Sequence, residues 1–573
     1  SRRPVVYVGA NDGILHGFDA QTGLEVFGYL PNKNMDTSQS YHNDLEDVTS
    51  PFYQHKYYVD LTPSINDVFM RPSRAATGKE WMTLLLGGTG AGGKGFFALN
   101  VTEPDARYSS EATASGTVLW EFTDEDDTYP INCPGRAESA CPGNLLGGGG
   151  LLDPAGRPVK DLGVAMSQPT ITMSNVTDSG SPARQEWVAV LGNGLNSTAG
   201  VAKLFVLFLN GGIDGWDPGE VVKIDTGVGV TSPPLPQAGY PNGLGTPTAV
   251  DVDLNGTVDW VYAGDRLGNL YRFDLSDANP DNWTSTRLFT ASYTDGSGNT
   301  TLQPILSKPV VSKHPTEDGF LITFGTGSHV AREDANARDI QSIYGIWDRG
   351  EANPATAQPD TKALRLVEQV ITNVVDDSLS PAQTRRIITS NQVDYVSESG
   401  VPGTYGWYMD LDMERASTTI SGAANPDGSG LAPPDPQFPG EKAIRRMIYR
   451  DGVIIAATVL PSIGSTSCFG SRPGSILLFD ALTGGNPVRA LVDFNNDGYV
   501  DDGDLVIVNG EEFAAGILFD QEALDGSLVD PSILGGEGDT DFLFISGGNE
   551  TTSFRILDVN DNRTGRLSWQ ELD

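Results

Sequence analysis

A short β-hairpin pattern recurs along this chain, and it limits the folds that the chain can adopt. Val5–Asp19 (VVYVGANDGILHGFD) and Trp260–Asp274 (WVYAGDRLGNLYRFD) align without gaps and are identical at seven positions. Each copy has a strand, a turn that contains glycine, and a second strand with alternating apolar residues. The repeat therefore predicts that β-hairpins are the building units of the fold.

Weaker copies of the same pattern are spread over the whole chain. They lie at Met82–Asn100, Trp187–Leu209, Leu321–Trp347 and Val453–Asp480. A single hairpin is too small to bury both of its faces, so repeated hairpins are expected to form sheets arranged around an axis. The pattern predicts an all-β chain that folds as a β-propeller of six to eight blades. An array of β-sandwiches with coincidental glycine turns is the alternative.

The spacing between the copies is irregular, which predicts loops inserted into the propeller. We expect residues 1–573 to form one β-propeller domain, with insertions near 102–162, 351–385, 415–442 and 493–540. Inserted loops on a rigid scaffold are common places for binding surfaces.

The composition supports strands and turns and excludes several function classes. The 573 residues include 68 Gly and 36 Pro, and only 20% are charged. With 75 acidic and 37 basic residues the net charge is −38, which disfavours nucleic acids and anionic lipid surfaces. Such a charge suits divalent cations or basic partners. No apolar run has the length of about 18–20 residues that a membrane span needs.

The N-terminal residues and the cysteines bear on the protein's context. The chain begins with Ser-Arg-Arg-Pro and runs directly into a strand, so we interpret it as a fragment of a longer protein. Cys133 and Cys141 flank a short loop, which favours a local disulfide, although a reduced pair is also compatible with this spacing. Cys468 would then be unpaired.

The strongest chemical signal is an acidic loop that directly precedes the second hairpin copy. Asp251, Asp253, Asn255 and Gly256 match D-x-D-x-[DN]-G, the start of an EF-hand-type calcium loop. Oxygens at positions 1, 3 and 5 converge as the chain turns, glycine allows the tight turn at position 6, and the carbonyl of Thr257 at position 7 faces inward. Position 12 is Tyr262, so we expect Asp259, at position 9, to be the closing ligand. An acidic turn that only binds water is the alternative.

A second loop of the same type follows near the C-terminus. Its expected ligands are Asp493, Asn495, Asp497, Tyr499 through its carbonyl, Asp501, and Asp504 at position 12. Hard oxygen ligands favour Ca²⁺ over softer metals. A third candidate, Asp558–Arg563, lacks the glycine and is not expected to bind metal.

Other site chemistries find little support in the sequence. The five histidines have no metal-ligand spacing, and there is no G-x-S-x-G nucleophile motif. The glycine-rich stretch 87–95 contains Lys94 but lacks the following Ser or Thr of a phosphate-binding loop, and a strand follows where a helix would be needed. We interpret it as a hairpin turn, and we predict no catalytic residues and no organic cofactor.

Several segments, taken in order, resemble the C-terminal domain of PilY-type proteins, which are tip and biogenesis factors of type IV pili. They are Val5–Gly13, His55–Asp60, Gly87–Gly95, Asp251–Asp274, Phe324–Gly327, Gly406–Leu411, Asp480–Gly485 and Leu567–Leu572. The resemblance covers nearly the whole chain. No single segment is decisive, but their order is specific.

This resemblance implies a modified seven-bladed β-propeller and a role that is not enzymatic. It implies a calcium-binding adhesin and pilus biogenesis factor outside the cytoplasm, at the pilus tip or the outer membrane of a Gram-negative bacterium. Its implied partners are minor pilins, the pilus tip complex, and a host or abiotic surface, and its implied roles are pilus extension, attachment and twitching motility. The implied calcium ligands match the 251–259 loop, with Asn255 in place of a common aspartate.

Two other functions are compatible with a calcium-containing propeller. A quinoprotein-like dehydrogenase would need a quinone pocket with a catalytic carboxylate, and the pair of adjacent cysteines common in that class is absent. An integrin-like calcium propeller that binds carbohydrate or protein, without a link to pili, is the other alternative.

Overall fold

The structure is a computed structural model in which the described part of the chain consists mainly of β-strands. It describes residues 2–35, 45–74, 76–127, 159–180, 182–217, 219–229, 241–330, 334, 337–351, 366–376, 383–395, 403–412, 440–460, 474–508, 510–519, 528–535, 540–547 and 550–557. The α-helices within these ranges are two single turns, α1 (Pro104–Arg107) and α2 (Glu111–Ala114). No helix in the described part is long and apolar enough to cross a membrane.

The described residues divide into two compact units. The first contains the described residues up to Arg266 together with Tyr271–Arg287, and the second contains Leu267–Leu270 and the described residues from Leu288 onward. The division passes through the hairpin of Trp260–Asp274. The single domain over 1–573 stays a prediction.

The first unit is built around four antiparallel sheets. In chain order of their first members they are β1–β2–β3, β4–β5–β6–β7, β11–β10–β9–β8 and β12–β13–β14–β15. The strands are β1 (Val5–Gly9), β2 (Leu15–Asp19), β3 (Glu25–Tyr29), β4 (Ser64–Met70), β5 (Glu80–Gly88), β6 (Gly95–Asn100), β7 (Val118–Thr123), β8 (Thr170–Thr177), β9 (Gln185–Gly192), β10 (Val201–Phe208), β11 (Val221–Gly229), β12 (Thr248–Val250), β13 (Trp260–Gly264), β14 (Asn269–Asp274) and β15 (Thr284–Thr290).

The second unit contains three larger sheets and two small hairpins. The larger sheets have the orders β18–β19–β20–β24–β21, β22–β23–β30–β27–β26–β25 and β31–β32–β33, and the hairpins are β16–β17 and β28–β29. The strands are β16 (Ser292–Thr294), β17 (Thr300–Leu302), β18 (Val310–Lys313), β19 (Phe320–Gly325), β20 (Ser342–Asp348), β21 (Val367–Gln369), β22 (Ile371–Asp376), β23 (Gln383–Ile388), β24 (Gly406–Asp410), β25 (Ile448–Arg450), β26 (Val453–Ala457), β27 (Ser475–Asp480), β28 (Val506–Val508), β29 (Glu511–Phe513), β30 (Gly516–Leu518), β31 (Ser532–Gly535), β32 (Thr540–Gly547) and β33 (Glu550–Leu557).

Seven sheets of three to six strands are therefore present among the described residues, and they are the blades of a β-propeller. The prediction of an all-β, modified seven-bladed propeller is confirmed. β21 pairs with β24 in parallel, which the hairpin repeat did not indicate.

The identical glycines of the two clearest repeats have a structural cause. Gly13 and Gly268 form the turns of their hairpins with φ of +95° and +82°, a region that side-chain-bearing residues rarely adopt. A Cβ at Gly268 would also lie 2.7 Å from the carbonyl oxygen of Gln303. The hairpin turn thus requires glycine for both its backbone conformation and its packing.

The cores of the two units are formed by the alternating apolar residues of their strands. In the first unit, Leu204 and Val206 of β10 and Val261 of β13 belong to one buried cluster. In the second, Ile455 of β26 and Leu478 of β27 belong to another. Strands buried on both faces account for near-continuous apolar runs such as KLFVLFL at 203–209.

Three of the proposed insertions contain strands that belong to blades. β7 lies within 102–162, β21 and β22 lie within 351–385, and β30 lies within 493–540. Residues 128–158 of the first segment and most of 415–442 lie outside the described residues, as do Cys133, Cys141, Cys468 and the weak loop 558–563.

Candidate metal centre

The first acidic loop joins the end of β12 to the start of β13 in the first unit. Asp251 directly follows β12, and Asp259 directly precedes β13. Within the described residues, Asp251, Asp253 and Asp259 are the one group of three or more His, Cys, Asp or Glu side chains whose ligand atoms lie within 4.8 Å of one another. The fold thus brings together the three carboxylates that the spacing selected.

The backbone of this loop closes around its first carboxylate. The two oxygens of Asp251 accept hydrogen bonds from the backbone N–H groups of Asn255 (3.2 Å) and Gly256 (2.7 Å). Leu254 and Gly256 have positive φ values of +62° and +94°, which let the chain reverse direction within a few residues. Leu254 is 87% exposed, so its side chain points to solvent at the tip of the loop.

Asp259 closes the loop from the opposite side. Its Oδ2 accepts hydrogen bonds from the backbone N–H groups of Val252 (2.8 Å) and Asp253 (3.4 Å), and the residue is only 6% exposed. Its Oδ1 accepts a hydrogen bond from Nδ2 of Asn175 at 3.2 Å. This placement agrees with the expectation that Asp259, rather than the residue at position 12, faces the centre of the loop.

Asn175, on β8, is a supporting residue that sequence reasoning missed. Its Oδ1 accepts a hydrogen bond from the Thr257 hydroxyl at 2.7 Å, while its Nδ2 also donates to the backbone carbonyl of Val258 at 3.0 Å. A backbone bridge between Met173 and Thr257 joins the same two segments. The loop is therefore held against the sheet of β8, although Asn175 lies more than 70 residues before it.

The carboxylates of this loop repel one another. Two unit charges 4.8 Å apart interact with about 1 kcal/mol in bulk water and about 3–4 kcal/mol at an effective dielectric constant of 20. Among the described residues, none of the three forms an ion pair with Lys or Arg. The loop therefore concentrates negative charge that a cation could neutralise.

The second acidic loop, in the second unit, repeats the hydrogen bonds of the first. Asp493 accepts from the N–H groups of Asp497 (3.2 Å) and Gly498 (3.0 Å). Asn496 and Gly498 have φ values of +58° and +94°, close to those of the equivalent residues in the first loop. Asp504 accepts from the N–H of Phe494 at 2.9 Å, which is the role that Asp259 plays in the first loop.

Asp501, another expected ligand of the second loop, has a different structural role. It caps a short 3₁₀-helix (Asp502–Asp504) and accepts from the N–H of Gly503. Tyr499, which is expected to contribute only its carbonyl, is 73% exposed. Burial raises the pKa of Asp504, since it outweighs the hydrogen bonds that the carboxylate accepts. No three carboxylates among these described residues reach the spacing found in the first loop.

Arg555 on β33 is a second supporting residue that the sequence did not reveal. Its guanidinium donates to the carbonyl of Gly498 at 3.1 Å, and its own carbonyl accepts from the N–H of Asp493 at 2.9 Å. The second loop is thus attached to a strand of the last sheet, as the first loop is attached to β8.

Two other features of the sequence have structural roles. The glycine-rich stretch 87–95 connects β5 to β6 in a hairpin, as predicted. Both ring nitrogens of His16 face carboxylate acceptors: Nε2 lies 2.9 Å from Oδ2 of Asp12, and Nδ1 lies 2.7 Å from Oε1 of Glu25. Burial lowers the pKa of His16, but its hydrogen bonds to the two carboxylates outweigh this effect and raise the pKa above the usual 6.5.

Comparisons with known proteins give these loops a family context. The sequence model of the PilY1 β-propeller domain matches residues 1–136 and 156–383, which is more than half of the chain. A homologue of the type IV pilus biogenesis factor PilY1 from Xylella fastidiosa is 31% identical over 494 residues, which cover 84% of this chain and 26% of the relative. PilY1 of Pseudomonas aeruginosa strain UCBPP-PA14 is 29% identical over 570 residues, which cover 92% of this chain and 39% of the relative. The chain thus spans well under half the length of these relatives.

The fold has a counterpart among solved structures. The crystal structure of the Pseudomonas aeruginosa PilY1 C-terminal domain matches with a TM-score of 0.64 and 26% sequence identity. The match covers 97% of this chain and 93% of that domain. By the extent of the sequence match and this agreement in fold, the chain belongs to the PilY1 β-propeller family.

Proposed function

We propose that this chain is the calcium-binding β-propeller of a type IV pilus biogenesis factor and that its role is binding rather than catalysis. The observation that carries the proposal is the convergence of Asp251, Asp253 and Asp259 in a chain whose relatives are named pilus biogenesis factors. In this proposal the propeller supports pilus extension, surface attachment and twitching motility.

The first loop has the donor chemistry that calcium requires. Its donors are all oxygens, from the carboxylates of Asp251, Asp253 and Asp259, the amide of Asn255 and the carbonyl of Thr257. Asn255 supplies an uncharged oxygen, so the loop carries three negative charges. When bound, the ion would remove the repulsion among them.

The binding of calcium would act through the residues that hold the loop. Asp259 and Thr257 both contact Asn175, so fixing these residues also fixes the junction between the loop and β8. The N–H of Val258 donates to the carbonyl of Met173 at 2.8 Å, a backbone bond across the same junction. The ion would therefore stiffen the connection between two sheets of the first unit.

The second loop is proposed as a second calcium site. Its backbone matches the first loop at Asp493, Asn495, Asp497 and Gly498, but Asp501 is used as a helix cap. In this proposal its ligands are Asp493, Asn495, Asp497, the carbonyl of Tyr499, and Asp504.

Membership of the PilY1 β-propeller family supports the proposed location and partners. We place the protein outside the cytoplasm, at the pilus tip or the outer membrane of a Gram-negative bacterium, with minor pilins and a host or abiotic surface as partners. Calcium modules in such settings often have Kd values of about 10⁻⁴–10⁻³ M, so occupancy could follow the calcium of the environment.

Calcium titration by calorimetry on the chelated chain tests the metal sites. Asp259→Asn should abolish one binding event and Asp497→Asn the other. Asp281→Asn, which removes the same charge from an exposed turn of the first unit outside the loop, is the matched control and should leave both. Absence of binding at millimolar calcium would reject both sites.

The pilus role needs a separate experiment in the bacterium that carries this gene. A strain that lacks the gene should regain surface pili with the full-length protein, and it should do so less well with Asp259→Asn. Full recovery with that variant, at equal protein levels, would separate calcium binding from pilus assembly. No loss of pili in the deletion strain would reject the pilus role itself.

A further inference from the structure

Three cations in the second unit have no ion-pair partner within the described part of the chain, although the chain as a whole is strongly acidic. The chain has about two acidic residues for each basic one, and several buried lysines elsewhere form ion pairs, such as Lys203 with Asp161 at 2.6 Å. In contrast, the side chains of Lys308, Arg445 and Arg446 form no ion pair or hydrogen bond among the described residues. We call these three residues the cationic cluster.

Backbone contacts bring the two segments of the cluster together. The N–H of Gly327 donates to the carbonyl of Pro304 at 2.9 Å, in the segment that leads to Lys308. The N–H of Ala443 donates to the carbonyl of Thr326 at 3.1 Å, in the segment that leads to the two arginines. Both segments therefore pack against the loop after β19. Gln303 and Ala443, which belong to these segments, are fully buried.

The charge of Arg446 acts on Lys308, and the side chains of Lys308 and Arg445 are partly withdrawn from water. Burial and the nearby positive charge of Arg446 lower the pKa of Lys308 to about 8. Burial also lowers the pKa of Arg445, against the opposing charge of Asp530, and its Nε is buried without a hydrogen-bond partner. Arg446 is exposed, so the cluster is open to solvent on one side.

The neighbouring charged groups do not neutralise the cluster. Asp530 accepts a hydrogen bond from the backbone N–H of Arg446 at 3.1 Å rather than from a guanidinium. Lys442 directs its ammonium to the carbonyl of Ser328 at 2.9 Å. The other charged or titratable groups on the packed segments are His329, Asp334, Arg338, Asp339 and Glu441, and Glu441 forms an ion pair with Arg386 at 2.5 Å. Of these, Asp334 is already the acceptor for the Ser328 hydroxyl at 2.6 Å.

We propose that the cationic cluster is a binding site for a phosphate or sulfate group. Two arginines and a lysine on converging segments provide forked and single N–H donors, the combination that holds tetrahedral oxyanions. A doubly charged oxyanion would remove the repulsion among the three cations and fill the missing acceptor positions. At physiological ionic strength the Debye length is about 8 Å, so distant carboxylates do not prevent this local attraction.

Sodium sulfate is the first probe, compared with sodium chloride at matched ionic strength. Calorimetry should detect saturable sulfate binding to the wild-type chain that chloride does not reproduce. Lys308→Gln and Arg446→Gln should each weaken it about tenfold or more, since each removes a charge-assisted hydrogen bond. Lys313→Gln, on the neighbouring strand β18, is the matched control and should bind as the wild type does. Equal weakening in the control, or no saturable binding, would overturn the proposal.

Chemical labelling of Lys308 gives a second readout that needs no variant. At pH 8 a lysine with a pKa of about 8 is about half deprotonated, so an amine-reactive reagent should label it faster than exposed Lys313. Bound sulfate favours the protonated form and should slow labelling of Lys308 selectively, as measured by mass spectrometry. Labelling of Lys308 that sulfate leaves unchanged would also overturn the proposal. Repeating both measurements with a sulfated disaccharide and with inorganic phosphate distinguishes a sugar-borne group from the free ion.

Discussion

The substitution Asp259→Asn separates the structural role of the first loop from its proposed role in binding calcium. The carboxylate accepts hydrogen bonds from the N–H groups of Val252 and Asp253 and from the side chain of Asn175. An asparagine can preserve the backbone bonds through Oδ1 but would then present its NH₂ group to the NH₂ group of Asn175. Loss of that hydrogen bond costs about 1 kcal/mol.

In the absence of calcium, a second effect opposes this loss. Removing one of three negative charges whose ligand atoms lie within 4.8 Å relieves two repulsions, each worth about 1 kcal/mol in water. In the absence of calcium, we therefore expect the free energies of unfolding of the variant and the wild type to differ by no more than about 1 kcal/mol. The substitution should therefore change the stability of the protein little until calcium is added.

With calcium, the two proteins should differ clearly. Calcium at ten to a hundred times Kd stabilises a protein with one site by about 1.4–2.7 kcal/mol. For a unit of this size, whose entropy of unfolding is about 0.6 kcal/mol per K, this corresponds to a rise in Tm of roughly 2–5 °C. The wild type should show this rise and Asp259→Asn should show little of it at the same calcium concentration.

Differential scanning calorimetry with and without a chelator measures both quantities. Asp281→Asn controls for the general effect of removing one negative charge. If Asp259→Asn keeps the full calcium-dependent rise in Tm, the ion does not bind this loop. If the free energy of unfolding of the calcium-free variant is instead several kcal/mol lower than that of the wild type, Asp259 has a structural role beyond the hydrogen bond to Asn175 and the repulsion among the carboxylates.

Three further predictions concern the first unit. Leu254→Asn should increase the free energy of unfolding by about 0.5–1 kcal/mol in a urea titration, because a left-handed backbone conformation disfavours leucine and Asn496 occupies the equivalent position of the second loop. For His16, whose pKa is raised on folding, the stabilisation is complete below pH 6.5 and is lost as the pH rises through the folded-state pKa. His16→Gln should remove that pH dependence from urea midpoints measured between pH 5.5 and 8.5 (a range of about three units around the usual histidine pKa). The hydrogen bond from Lys79 is the largest of the effects that lower the pKa of Asp178 to about 2. The stability that Asp178 contributes should therefore disappear as the pH falls from about 4 to about 2. Asp178→Asn should flatten the dependence of the urea midpoint on pH over this range.

The β-propeller was accessible from the sequence because its hairpins impose local requirements. Gly13 and Gly268 are repeated because their turns need positive φ, so glycine recurs at the same position of each hairpin copy. No sequence pattern of this kind predicts the parallel pairing of β21 with β24, because the pairing depends on contacts between segments that are distant in the sequence. The blade strand β7 was missed for another reason: it pairs with β6, where the hairpin repeat ends, only after the intervening residues 101–117.

The candidate site shows the same division between local and distant contributions. Asp251, Asp253 and Asp259 could be selected from spacing, since the loop that brings them together is only nine residues long. Asn175 could not be selected, because a single asparagine on a strand has no distinguishing neighbours until the fold places it beside Thr257. The role of Asp501 as a helix cap likewise depends on the conformation of the last residues of the loop, which the ligand pattern alone does not specify.

The position of the first loop limits what calcium could control. The N–H of Asp259 donates to the carbonyl of Val250 at the end of β12, and the carbonyl of Asp259 accepts from the N–H of Leu275 just after β14. Both bonds lie at the end of the sheet, whereas its interior rests on buried residues such as Val261 and Phe273. Burying each such side chain contributes about 1.5–3 kcal/mol, so the interior does not depend on the 1.4–2.7 kcal/mol available from the ion. Calcium should therefore order the exposed end of the blade, including the tip that carries Leu254, while the blade itself stays folded with or without the ion.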